Sequence, residues 1–335
     1  MKVRVVLDAM GGDFAPQEII KGGVLAKKEY KKDLELLLVG DKHIIEEELK
    51  KRGADFKDFE IIHAPEIIKM ADSPAKAVKR KKESSIVRGI ELLKNNYADA
   101  FVSAGSTGAV VAGSVLNLGL LPGIMRPGIA ILVPSLKGKT LIIDVGANID
   151  PKPIHLLQYA VMGRAYYKLI LGKDNVKIGI LNIGEEETKG TEFLKETRLL
   201  LQKSDLNFIG NVEAKDIYSG KCEVIVCDGF AGNIALKVSE GFAEIMSKFL
   251  FDNLRKGFLG KLGLLFIKEG LKNFKKIIDY SEYGGAPLLG VNGIVIISHG
   301  RSNAKAIKNA IKVAITEVER NLNEKITQEI KNVRM

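Results

Sequence analysis

The stretch VVLDAMGGDFAP, residues 5–16, joins an apolar run to an acid, a Gly-Gly pair, a second acid and a proline. An unbroken Val/Leu run reads as a strand buried on both faces, as in a parallel sheet covered by helices. The rest of the chain repeats this arrangement. VRVVLDA (3–9) precedes a helix from Pro16 to about Tyr30, and LELLLVG (34–40) precedes HIIEEELKKR (43–52). FEIIHA (59–64) leads to a long basic helix over 74–95, and ADAFVSAG (98–105) leads into STGAVVAGSVLNLG. Beyond a helix at 151–171 come VKIGILNIG (176–184), a helix at 190–203, LNFIGNV (206–212), EVIVCDG (223–229) and a long helix from about 233. GIVIISHG (293–300) is the last strand, and one closing helix runs from Asn303. PGIAILVPS and KTLIIDVGAN, joined by a short turn at Lys137–Gly138, read as an antiparallel hairpin. The pattern predicts the α/β class: a three-layer α/β/α sandwich on a mostly parallel, mixed sheet. Residues 1–335 read as one domain with an inserted amphipathic helical arm at 240–285.

Six predicted strands finish in glycine with small polar or acidic residues: DAMGGD (8–13), SAGSTGA (103–109), DVGAN (144–148), NIGEEETKG (182–190), CDGFAGN (227–233) and SHGRSN (298–303). If these strands are parallel, their tips share one edge, where open α/β sheets bind ligands. Glycine lets a ligand approach backbone N–H groups, and a helix starting there adds unpaired donors and a positive dipole end. That combination suits phosphate. Gly11, Gly12, Asp13, Gly105, Ser106, Thr107, Gly108, Asp228, Gly229 and Asn233 are the candidate substrate- and phosphate-binding residues. Ser106 or Thr107 is expected to cap a helix. Asp8, Asp13, Asp144 and Asp228 sit beside glycines, where anions would repel an anionic substrate. They are expected to position loops or lysines, with a general-base role for one of them left open. There is no GxGxxG after the first strand and no GxxxxGK[ST], so nicotinamide and P-loop nucleotide binding lack their usual cues.

The bulk numbers agree with an enzyme-like α/β chain. The 335 residues are 46% hydrophobic with 34 glycines, and residues 1–7 read as a strand rather than a secretory leader. No apolar window is long enough to span a membrane, and a cytoplasmic location is expected. Cys222 and Cys227 flank EVIV on one predicted strand, expected to point to opposite faces as buried thiols. The four histidines lack zinc-ligand spacing, and the EEE run at 185–187 reads as a solvated helix start, so no metal and no cofactor are expected. Net charge is +10 without a nucleic-acid-binding signature.

In order and spacing, the six tips together with YGGAPLLG (283–290) resemble the bacterial phosphate acyltransferase family over essentially the whole chain. One position departs: Ser106 stands where the family commonly has Asn, keeping the capping capacity with a shorter reach. The resemblance implies a fold similar to the phosphotransacetylases and the isocitrate/isopropylmalate dehydrogenases. It implies that inorganic phosphate attacks the thioester of a long-chain acyl group on acyl carrier protein, giving acyl phosphate and free carrier. The product feeds a downstream glycerol-phosphate acyltransferase and phospholipid synthesis. It further implies a homodimer placed peripherally at the inner face of the membrane. With phosphate itself as nucleophile, no catalytic cysteine or serine is required. Lys189 is the expected catalytic cation for the developing oxyanion, with Asn148 and His299 as further polar contacts. An enzyme using acyl-CoA, or a non-enzymatic membrane scaffold, are the alternatives.

Two basic segments remain. KAVKRKK (76–82) offers Lys79, Arg80, Lys81 and Lys82 as a dock for an acidic carrier protein. Between 248 and 276, eight lysines and arginines stand against Asp252 and Glu269, threaded through FLFDNLRKGFLGKLGLLFI (249–267). Phe258, Leu259, Leu262, Leu265 and Phe266 are the expected contacts with an anionic membrane surface, a dimer partner or both.

Overall fold

The computed structural model describes residues 2–254, 269–270 and 284–334. In chain order the elements are β1 (Val3–Asp8), α1 (Gln17–Glu29), β2 (Leu34–Gly40), α2 (Lys42–Lys51), β3 (Phe59–His63), α3 (Pro74–Arg80), α4 (Ser85–Lys94), β4 (Ala100–Ser103) and α5 (Thr107–Asn117). There follow β5 (Gly128–Ser135), β6 (Gly138–Ile143), α6 (Pro153–Leu171), β7 (Ile178–Leu181), α7 (Glu192–Lys203), β8 (Phe208–Val212), β9 (Val224–Val226) and α8 (Gly229–Leu254). The described chain closes with β10 (Ala286–Leu289), β11 (Ile294–Ile297), α9 (Ala304–Glu319) and α10 (Leu322–Asn332).

All described strands form one 11-stranded sheet, ordered β3-β2-β1-β4-β11-β10-β5-β6-β9-β7-β8. Alternate residues of each strand feed opposite layers, which is why the strands carry no polar alternation. Val5 and Leu7 join a core with Ile19 of α1, Ile45 of α2, Leu156 of α6 and Ile307 of α9. Val6 joins the other core with Val78 of α3, Ile90 of α4 and Val110 of α5. The three-layer α/β/α sandwich is therefore built by period-two burial through one sheet.

The pairing divides the strands into two blocks. β1, β2, β3, β4 and β11 are mutually parallel, as are β6, β7, β8 and β9. Between them lie three antiparallel junctions: β11–β10, β10–β5 and the expected β5–β6 hairpin. An odd number of reversals makes the blocks run in opposite directions. The six glycine tips therefore do not share one edge; those of β1, β4 and β11 form one set and those of β6, β7 and β9 another.

Other expectations change locally. The basic helix expected over 74–95 is two helices, because Ser84 forms a parallel bridge with Glu66 and caps α4 through Val87 N–H. The closing helix breaks at Asn321, whose φ of 52° lies in the left-handed region. The short strand β10 pairs between β11 and β5, within the YGGAPLLG motif. α8 begins at Gly229 rather than near 233. Cys222 and Cys227 both pack in the same core, because the strand between them begins only at Val224 and the alternation does not extend back to Cys222. Burial pushes the Cys222 thiol up to about 12 and raises Cys227 as well, so both are inert thiols. Of the expected arm at 240–285, residues 240–254 continue α8. Phe258, Leu259, Leu262, Leu265 and Phe266 lie outside the described residues. Among the described residues no helix is long and apolar enough to cross a membrane.

One buried acid carries a consequence. Glu317 of α9 is 1% exposed and bonded to Tyr166 of α6, and burial raises its pKa well above the ordinary value. Unfolded, it ionises in the normal carboxylate range; folded, it holds its proton to higher pH. The folded state thus binds more protons between those limits, and stability falls as pH rises through that window. Glu317→Gln is expected to raise the melting temperature at pH 8, by on the order of 1–3 kcal/mol of stability. The advantage should vanish near the ordinary glutamate pKa, as followed by thermal melts across pH.

Candidate active site

The first set of tips is tied together by a buried carboxylate. Asp8, the last residue of β1, is fully buried; it accepts the Ser103 hydroxyl at 2.7 Å and Met10 N–H at 3.1 Å. Ser103 Oγ in turn accepts Gly105 N–H at 3.0 Å. Burial raises the Asp8 pKa, against the pull of these donors. Gly11 touches this network: a Cβ there would overlap the Asp8 carboxylate and the Gly105 backbone. Gly11 and Gly105 thus serve the close approach of two loops. Gly12, at φ 111°, turns the chain so that the exposed Asp13 donates its N–H to Gly300 O at 2.7 Å. In this way the β1, β4 and β11 tips meet.

α5 starts directly after β4. Ser106 occupies its N-cap and is buried, yet its hydroxyl makes no capping bond, contrary to expectation. Among the described residues nothing accepts the N–H groups of Thr107, Gly108 or Ala109, so this helix end keeps open donors. Gly108 also packs on Pro74 at the start of α3.

The second set is held by Asp144, which follows β6. It accepts four backbone N–H groups, from Ile129 (3.0 Å), Gly146 (3.1 Å), Ala147 (2.9 Å) and Asn148 (2.7 Å). Burial nonetheless raises its pKa. Asn148 is a brace here: its amide donates to Pro127 O at 2.6 Å and Tyr159 Oη at 2.8 Å, and its carbonyl accepts Gly229 N–H at 2.7 Å. Asp228 caps α8 by accepting Phe230 and Ala231 N–H at 3.0 and 2.8 Å, and its carbonyl accepts Gly232 N–H. Gly232 packs against Asp144 O so closely that a Cβ would overlap it. The first-turn donors of α8 are therefore occupied, and the open cradle expected at Asp228–Gly229 is closed by packing. Asn233, one turn further, is exposed and lies beside Gly146.

The loop after β7 carries Lys189. Asn182, buried at the strand end, donates to Lys189 O at 3.2 Å, and Asn211 of β8 donates to Glu186 O at 2.8 Å. Glu185 pairs with Lys221 and Glu187 with Arg198, so the acids of EEE splay to separate cations. Lys189 precedes α7 rather than lying in it; it is exposed and pairs with no acid among the described residues.

His299, after β11, faces the other block. Its Nε2 lies 2.9 Å from Lys237 Nζ of α8, which also reaches Glu240 Oε2 at 2.8 Å. Loss of surrounding water, then the Lys237 charge, lowers the His299 pKa. α8 therefore touches both sets of tips.

A cavity of about 1440 Å³ runs along α8. It is lined by Ile131, Val133, Ile234, Val238, Phe242 and Met246, together with Asn182, Gly190, Asp228 and Glu240. Leu136 and Ile183, both over 80% exposed, also line it. Of the basic segment, Lys79, Arg80 and Lys82 are exposed, whereas Lys81 binds Asp72 at 2.7 Å and Ile67 O at 2.9 Å. Sequence reading missed Ser103, Asn182 and Lys237. A serine or asparagine ending an apolar strand was the available signal for the first two.

A family model described as "Fatty acid synthesis protein" matches residues 3–325. A phosphate acyltransferase from Halothermothrix orenii is 52% identical over 330 residues, covering 98% of both chains. Among solved structures, a phosphotransacetylase from Streptococcus pyogenes matches with TM-score 0.63 at 19% identity, covering 96% of this chain and 94% of that one. The EutD phosphotransacetylase from Staphylococcus aureus gives TM-score 0.61 at 17% identity, covering 95% and 94%. These structural likenesses speak to the fold, and the near-full-length sequence relationship speaks to the family: the chain belongs to the phosphate acyltransferases, a family of transferases.

Proposed function

We propose that the protein moves a long-chain acyl group from the thioester of acyl carrier protein to inorganic phosphate, releasing acyl phosphate and free carrier. The observation that carries this reading is the apolar cavity along α8, which opens beside the strand-tip loops. At about 1440 Å³ it exceeds the roughly 300–1,000 Å³ of common small-ligand sites. Its aliphatic and aromatic walls suit an alkyl chain, where each buried CH₂ contributes about 0.8 kcal/mol. A phosphate oxygen attacks the thioester carbon, and the C–S bond breaks as the tetrahedral intermediate collapses. The sulfur leaves with the carrier and takes up the proton lost from phosphate. The open N–H groups at the α5 start favour anion binding near the first set of tips.

Lys189 is the proposed cation for the thioester oxyanion. Its loop lines the cavity through Ile183 and Gly190, and the side chain is not neutralised by a described acid. Asn148 is assigned to bracing the Asp144 loop rather than to chemistry. The acyl phosphate is proposed to feed a glycerol-phosphate acyltransferase in phospholipid synthesis. Acting as a homodimer at the cytoplasmic membrane face would shorten the path of that labile product.

Lys79, Arg80 and Lys82 are the proposed contacts for the acidic carrier. Lys79 and Arg80 end α3 and Lys82 follows it, while Pro74 at the start of α3 packs on Gly108 at the β4 tip. Lys81 is left out because it holds Asp72.

With palmitoyl-acyl carrier protein and phosphate, purified protein is expected to yield phosphate-dependent hydroxamate on hydroxylamine trapping, with release of carrier thiol. Product from palmitoyl-CoA alone would transfer the reading to an acyl-CoA phosphotransacetylase. Silence with both donors would favour the membrane scaffold. Lys189→Ala should lower kcat about 100-fold or more with the fold intact.

Reversing Lys79, Arg80 and Lys82 to glutamate should raise KM for the carrier-linked donor at least several-fold and leave the phosphate KM unchanged. Unchanged KM for the donor at low salt would remove this surface from the docking scheme.

A further inference from the structure

The sheet register gives the cavity two distinct ends. β5 runs from Ala130, opposite Ile143 at the end of β6, to Ser135, opposite Gly138 at the start of β6. Ile131, Val133, Ser135 and Leu136 all line the cavity, so it extends from the β6 and β9 tips to the β5–β6 turn. α8 runs the same way. Its Gly229 donates N–H to Asn148 O at the β6 tip. Two turns on, Lys237 meets His299, which follows β11, at the junction of the two sets of tips. β11 points as β5 does, because both are antiparallel to β10. Ile297 pairs with Ala286, and two residues on Leu288 pairs with Ile129, so Ile297 stands level with Ile131. His299 is thus further toward the β5–β6 turn, and the same helix continues that way through Val238, Phe242 and Met246.

The ends differ in chemistry. Asn182, Gly190 and Asp228 lie at the tip end, next to the Lys189 loop. The turn end is lined by Leu136 and Tyr218, with Ser135 beside them. It is held in place: Leu136 N–H donates to Tyr218 O at 2.9 Å, and Gly220 packs too closely on Lys137 to admit a Cβ. Between the ends, the polar side chains of α8 have partners of their own. Ser239 Oγ donates to Ala235 O at 2.6 Å, and Glu240 accepts from Lys237 at 2.8 Å. An acyl chain with a polar head and an apolar tail therefore fits in one direction.

We propose that the apolar face of α8 measures acyl-chain length, with the thioester at the Asn182–Asp228 end and the terminal methyl between Met246 and the β5–β6 turn. The proposal rests on the reading of this cavity as the acyl site. Phe230, Ile234, Val238, Phe242 and Met246 follow one another every four residues, about 6 Å apart along the helix axis. Each meets a different stretch of the chain. Side chains lean toward the helix N-terminus, so a larger residue at 246 covers the turn at Phe242. Val238 and Met246 are thus specificity-determining positions, one near the middle of the chain and one near its end.

The test is the kcat/KM profile of Val238→Trp, Met246→Trp and Leu136→Asp with octanoyl-, lauroyl- and palmitoyl-acyl carrier protein. All three are exposed positions of the lining, where a new side chain displaces no core. Each methylene kept out of the cavity costs about fourfold. Met246→Trp should lower the palmitoyl-to-lauroyl ratio at least tenfold and leave the lauroyl-to-octanoyl ratio within twofold of wild type. Val238→Trp, two turns nearer the thioester, should lower the lauroyl-to-octanoyl ratio at least tenfold as well. Leu136→Asp, which sets a charge beside the methyl end, should lower the palmitoyl-to-lauroyl ratio several-fold. Equal losses for all three donors in Val238→Trp, or a wild-type profile in Met246→Trp, would overturn the assignment. Should either tryptophan variant lose its helical circular dichroism, Val238→Phe and Met246→Phe are judged by the same ratios. Equilibrium dialysis with octanoate, laurate and palmitate separates this proposal from the reading beneath it. Wild type that makes no acyl phosphate yet binds palmitate, with Met246→Trp weakening palmitate alone, would sink the acyl-transfer reaction and keep the ruler. Active wild type with the same length profile in every variant would keep the reaction and sink the ruler. Wild type that neither reacts nor binds palmitate would sink both.

Discussion

The arrangement of the site depends on the number of antiparallel junctions in the sheet. β11–β10, β10–β5 and β5–β6 are three reversals, and three reversals leave the two parallel blocks pointing in opposite directions. Within each block the strand tips cluster as an open α/β sheet requires. Between blocks they cannot line up, and the twist of roughly 20–25° per strand rotates one block against the other. A site that uses both sets needs an element that reaches across. α8 does this: it starts on the β9 tip, passes Gly146 at Asn233 and meets His299 at Lys237.

Each block organises its loops in the same way. Asp8 and Asp144 stand at equivalent strand ends, buried, with their oxygens turned back onto loop N–H groups and a hydroxyl or amide. Burial raises both carboxyl pKa values, and the donors offset part of that cost. This answers why acids accompany glycines beside a site for anions. Their charge is directed into the scaffold, and the glycines permit the backbone approaches that deliver the donors. Gly11 against Gly105 and Gly232 against Asp144 O leave no room for a Cβ. Removing Asp144 would free four loop N–H groups at once, and removing Asp8 would free Met10 N–H and the Ser103 hydroxyl, so the loops would be expected to lose their shape before any contact with substrate was lost.

The strand–helix alternation was legible because burial on both faces selects unbroken Val/Ile/Leu runs, and the hairpin was legible from its turn. The reversal of blocks was not, because strand order depends on pairings such as Leu288↔Ile129 that join residues far apart in sequence. β10 escaped notice for a related reason: four residues containing Pro287, next to Gly284–Gly285, carry too little periodicity. The break after α3 depends on Glu66 bridging Ser84, a tertiary contact inside a sequence of good helix formers. In the site, the motif glycines were found, but whether a glycine opens a donor to ligand or admits another loop depends on its neighbours. Gly229 illustrates this, its N–H being taken by Asn148 O. Lys237 was hidden because LKVSEG reads as a solvated helix turn, and only the fold brings His299 to it.

Because α8 has two faces, the same few turns answer to two constraints. The apolar residues at 230, 234, 238, 242 and 246 recur every fourth position and drift slowly around the helix, as a residue spacing of 3.6 per turn requires. The polar positions 233 and 237 follow the same drift on another side, so rotating the helix to improve one face would misplace the other. Its rotation is fixed at the N-terminus, where Asp228 caps the first turn and Gly232 sits against Asp144 O. Four turns of helix then carry that orientation to Met246 at about 1.5 Å per residue. The packing of one glycine on one strand-end carbonyl thus sets the alignment of both the cavity wall and the cation at the junction. A larger residue at 232 would disturb both together, although it touches neither.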